Sequence, residues 1–72
     1  MNYSLHTHSC EKTVENENTE MLLQFILENG VVVGVFQCLD RACQALWDRY
    51  GSACLLLDDN TTGDYLLVDL AM

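Results

Sequence analysis

Three residues that can bind a transition metal, His6, His8 and Cys10, occupy alternate positions near the start of the chain. In an extended segment residues i, i+2 and i+4 point to one side, so imidazole and thiolate donors suited to zinc would face together. A structural zinc site takes four ligands, usually from two separated elements, and no Cys-x-x-Cys or His-x-x-x-His supplies the rest. The segment therefore reads as a polar arm rich in surface histidines, with no metal assigned. A metal-responsive role for His6, His8 and Cys10 stands as an alternative.

A second constellation, Asp58, Asn60, Thr62, Gly63, Asp64 and Asp69, has the spacing of an EF-hand calcium loop at positions one, three, five, six, seven and twelve. Thr62 is a weak ligand, and Asp69 stands where a bidentate Glu is expected. A hairpin turn accounts for the same residues with fewer demands. Cys38 is placed just before an apolar helical pattern, where exposed N–H groups and the helix dipole favour a thiolate. No histidine is near it in sequence, so a small apolar cap residue is the simpler reading. There is no Gly-x-Ser-x-Gly, phosphate-binding glycine loop or dinucleotide fingerprint. We expect no catalytic residues and no cofactor.

These side chains must be positioned by very little structure. A chain of 72 residues supports one compact domain. Residues 1–20 read as a polar, acidic arm or linker, with Tyr3, Leu5 and Thr7 alternating as in a short extra strand. Residues 21–72 read as the compact domain. Asn29-Gly30 separates two apolar runs, Met21–Leu27 and Val31–Phe36, which is the sequence of a hairpin with a type I′ turn. A competing reading caps a helix at Thr19 and runs it from Glu20 to Glu28, ended by Gly30. The hairpin is preferred.

Leu39, Ala42, Cys43, Leu46, Trp47 and Tyr50 form one face of a helix, with Gly51 as its stop. Two further apolar runs, Ala53–Leu57 and Tyr65–Leu70, flank a loop of turn residues. The fold class expected is α+β: a small antiparallel sheet of two hairpins, β-β-α-β-β, with one helix across one face and an optional N-terminal strand. One helix covers only one face. The other face would then expose Leu22, Ile26, Val32, Phe36, Leu56, Leu66 and Val68, which is too apolar to stay wet, so a homodimer through sheet faces or a docked protein is expected.

Half the residues are apolar, yet the formal charge is -8, with Lys12, Arg41 and Arg49 as the basic side chains. Binding to phosphate backbones or anionic lipid needs Lys and Arg, so neither nucleic acid nor membrane is an expected partner. A dense negative field instead attracts basic protein surfaces. Asp58, Asp59, Asp64 and Asp69, with Glu15, Glu17 and Glu20, are the candidate contacts. The N-terminus carries neither a basic n-region nor an apolar h-region, so a cytoplasmic chain with four reduced cysteines is expected.

In size and acidity, though in no motif, the chain is similar to small phage-borne anti-defence proteins of the anti-CRISPR or anti-restriction type that mimic nucleic acid. That resemblance implies a non-catalytic inhibitor or regulator occupying a basic, nucleic-acid-binding surface of a partner. The alternative is a structural or adaptor module that assembles as a homodimer.

Overall fold

The computed structural model describes residues 3–6, 12 and 16–70. Its elements in chain order are β1 (Tyr3–His6), α1 (Glu17–Asn29), β2 (Val31–Phe36), α2 (Leu39–Asp48), β3 (Cys54–Asp59) and β4 (Tyr65–Asp69). The strands form one antiparallel sheet in the order β1-β3-β4-β2. A helix packs on each face. The α+β class and the optional N-terminal strand are as expected, but the one-helix, two-hairpin arrangement is not.

The difference lies in residues 21–27, which are helical. Asn16 caps α1, its side-chain oxygen accepting from the Thr19 N–H at 3.0 Å, and Glu17 and Glu20 place carboxylates in the first turn, where the dipole favours them. The buried positions are Thr19, Leu23 and Ile26, a spacing of four and three. A strand would have buried alternate residues. Phe25 is instead 45% exposed while Ile26 is fully buried. Gly30 does not make a type I′ turn. It has φ -85°, and its N–H donates to the Ile26 carbonyl at 2.7 Å. Glycine is required there by space, because a Cβ would collide with the Val68 side chain and lie 2.7 Å from the Ile26 oxygen.

Two apolar layers result. On one face Leu23 and Ile26 of α1 pack with Leu5, Leu57 and Val68, bordered by Tyr3, Leu55, Leu66 and Leu70. On the other, Ala42 and Leu46 of α2 pack with Cys54, Leu56 and Leu67, bordered by Phe36, Leu39, Cys43, Ala45 and Tyr65. The two central strands, β3 and β4, are covered on both faces, which is why their sequences are nearly continuous apolar runs.

Other expectations change with this. Within residues 1–20, expected to be an arm or linker, Tyr3–His6 pairs with β3 in the sheet and Glu17–Glu20 open α1. The residues expected to line one bare sheet face are distributed between the layers. Ile26, Leu66 and Val68 belong to the α1 layer, Leu56 and Phe36 to the α2 layer, and Leu22 is a half-exposed helix residue. Val32 remains exposed. Nor are all the cysteines reduced, because Cys43 is disulfide-bonded while Cys38 and Cys54 are free. Among the described residues no helix is long and apolar enough to cross a membrane.

Candidate partner-binding surface

The β3–β4 loop places Asp59 and Asp64 at one end of the sheet. The Asp59 carboxylate accepts from the Thr61 N–H at 2.9 Å, and its backbone N–H donates to the Asp64 carbonyl at 2.8 Å. Gly63, at φ 80°, closes the loop in a left-handed conformation. The start of α2 reaches the same end, because β2 finishes at Phe36 opposite Tyr65, the first residue of β4. Asp40 stands in its first turn. Helix α1 joins β2 through Gly30, beside Val68 and Leu70 at the other end of β4, and carries exposed Glu17 and Glu20 in its first turn. Asp40, Asp59 and Asp64, distant in sequence, thus lie toward one end of the sheet, with Arg41 beside Asp64. Glu17 and Glu20 of α1 and Asp40 of α2 each sit at a positive helix end, which gives these acids a local stabilising role as well.

The structure separates the proposed acidic contacts by what already holds them. Asp58 is 18% exposed, with the Lys12 ammonium 3.6 Å away and the His6 imidazole 3.7 Å away. Asp69 lies at the far end of β4, 3.7 Å from the Arg49 guanidinium. These two carboxylates are each already beside a cation of the same chain. Glu17 and Glu20 are exposed, whereas Asp59 is half-buried with its carboxylate accepting from the Thr61 and Thr62 N–H groups, and Asp64 is half-buried beside Arg41; Glu15 lies outside the described residues.

The calcium-loop spacing does not produce a cage. Asp58 and Asp69 face different cations at opposite ends of the β3–β4 pair, and Asn60 donates to the Ser4 hydroxyl at 2.9 Å. Of the zinc set, His8 and Cys10 lie outside the described residues. His6 is 5% exposed, has no hydrogen-bond partner on either ring nitrogen, and meets the Tyr65 ring edge-on at 6.0 Å. No group of three potential ligands converges among the described residues.

Cys38 is exposed and occupies the cap position of α2, beside an open depression of about 520 Å³ lined by Val35, Phe36, Gln37, Arg41 and Asp64. A thiol, a guanidinium and a carboxylate share this depression. His6 belongs to β1, at the opposite edge of the sheet, so it supplies no imidazole base to the thiol.

Sequence reasoning missed Lys12 and Asn16. The run Asn16-Glu17-Asn18-Thr19-Glu20 was legible as a capped helix start, with a side-chain acceptor ahead of acidic first-turn residues. Its polarity made it look like linker. Compared with protein families, curated proteins and solved structures, the chain matches none.

Proposed function

We propose that this chain is a small acidic inhibitor or regulator that binds a partner protein on a basic surface otherwise occupied by nucleic acid. The observation that carries this reading is the polar arrangement of charge. A net charge of -8 is combined with carboxylates at the starts of α1 and α2 and in the β3–β4 loop, which we read as one acidic pole with Arg41 beside Asp64, while Lys12 and Arg49 are engaged by Asp58 and Asp69. Such a field accelerates encounter with a positive surface and repels nucleic acid itself.

The test begins with recovery of bound proteins on the immobilised chain at about 50 mM salt and their release at about 500 mM, where exposed charges are screened within a few ångströms. Substituting Glu17→Gln, Glu20→Gln, Asp59→Asn and Asp64→Asn together should slow association with the recovered partner by about tenfold, with a smaller change in dissociation. Glu28→Gln with Asp48→Asn, away from the acidic pole, should change it little. Retention indifferent to salt, or equal damage from the second set, would overturn the proposal.

A further inference from the structure

The sheet has two edges and they differ. The outer strand β1 is four residues long, contains buried Ser4 and His6, and is met at its end by Lys12, which bridges His6. The other outer strand, β2, reads Val-Val-Val-Gly-Val-Phe and pairs, among the described residues, with β4 alone. Val31, Val32, Val33 and Val35 are 64, 49, 41 and 59% exposed. Soluble proteins usually protect such an edge with lysine, proline, a bulge or a covering segment; β2 carries no lysine or proline, and its one such feature is the register irregularity between Val32 and Gly34. Its unpaired backbone N–H and C=O groups ask for another strand.

We propose that β2 pairs antiparallel with β2 of a second copy of this chain, joining two four-stranded sheets across a two-fold axis. The irregularity in β2 determines the register of this pairing. Strict alternation would let a strand of this length face itself only in registers where opposite residues are an even number apart. Here the register with β4 shifts between Val32 and Gly34. As a result Val32 and Val35 both lie on the α1 face, beside Val68 and Leu66, while Val31 and Phe36 lie on the α2 face, beside Asp69 and Tyr65. A two-fold axis between Val33 and Gly34 then sets Val32 opposite Val35 of the second copy, and Val31 opposite Phe36 of the second copy. Faces match at both positions. Each pair also prolongs an apolar layer that already exists within one chain.

Charge agrees with this placement, because residues 31–36 carry none although the chain carries -8. Two copies still repel through their remaining surfaces, and a six-residue strand pair lies at the small end of specific interfaces, below about 1,200 Å² in total. The dimer should accordingly be of roughly micromolar affinity. Added salt should strengthen it by screening the repulsion, the opposite of its expected effect on a basic partner. The proposal stands whether or not such a partner is found.

Sedimentation velocity from about 1 to 100 µM, at about 50 and 500 mM salt, should show a monomer–dimer equilibrium favoured by salt. Val32→Lys and Val35→Glu should each weaken it by at least about tenfold, since each sets an unpaired charge against valine. An equimolar mixture of the two variants should associate more tightly than either alone, because lysine then meets glutamate across the axis. Hydrogen exchange on the unsubstituted chain provides a check that needs no variant: amides of residues 31–36 should gain protection with protein concentration while those of residues 3–6 do not. A chain that stays monomeric throughout, or a dimer indifferent to both substitutions, would overturn the proposal.

Discussion

Among the described residues, His6 is a buried side chain left without hydrogen bonds. Both ring nitrogens are buried without a hydrogen bond, and the nearest carboxylate oxygen, on Asp58, is 3.7 Å away. An unsatisfied buried polar group costs about 1–3 kcal/mol, whereas an apolar side chain of similar size would lose nothing there. His6→Leu should therefore leave the melting temperature unchanged or raise it, and a marked fall in a thermal scan would mean that the imidazole makes a contribution geometry does not reveal. Gly30 is the opposite case. Gly30→Ala would drive a methyl group into Val68 and the Ile26 carbonyl, and overpacking of this kind costs about 1–3 kcal/mol, measurable by urea unfolding. The Arg49–Asp69 pair should matter far less. Arg49 is 45% exposed, so Asp69→Asn should cost at most about 1 kcal/mol.

At the scale of elements, α1 determines whether the sheet is covered. Phe25 and Ile26 are adjacent in sequence, yet a helix buries only the second, while a strand continuing from Leu23 would have buried the first. Ile26→Gln should thus lower stability by several kcal/mol, enough to unfold much of a domain whose total is about 4–10 kcal/mol. Phe25→Gln should change it by less than about 1 kcal/mol. Circular dichroism on the two variants checks both outcomes, and equal damage from both would contradict the helix. The α1 layer also removes the reason for dimerisation through sheet faces, since Ile26, Leu66 and Val68 are already packed within it. What remains apolar and exposed on the sheet is its β2 edge.

For the whole molecule, the excess of carboxylates has an intramolecular consequence. A net charge of -8 on a chain of 8.1 kDa repels itself in the compact state more than in the expanded one. The two ion pairs to Asp58 and Asp69 are partly exposed and offset little of this. The melting temperature should therefore rise as salt is increased from about 20 to 200 mM, with the protein dilute enough to stay monomeric. A fall would show that the ion pairs dominate.

Several features were determined by sequence alone because they depend on local pattern. The α2 helix follows from apolar residues at Leu39, Ala42, Cys43 and Leu46, the β3–β4 hairpin from turn residues between two apolar runs, and the acidic field from composition. Residues 21–27 were different. Met-Leu-Leu-Gln-Phe-Ile-Leu is apolar all round, so neither a period of two nor one of 3.6 stands out, and Asn-Gly imitates a hairpin turn. Tertiary structure decided the matter. Two central strands apolar on both faces need a cover on each side, and with α2 on one face only a second helix could bury the other. The same packing decided which acids meet Lys12 and Arg49. Nothing local distinguishes Asp58 and Asp69 from Asp59 and Asp64, because their cationic partners, Lys12 and Arg49, are brought to them by strand pairing and by the end of α2.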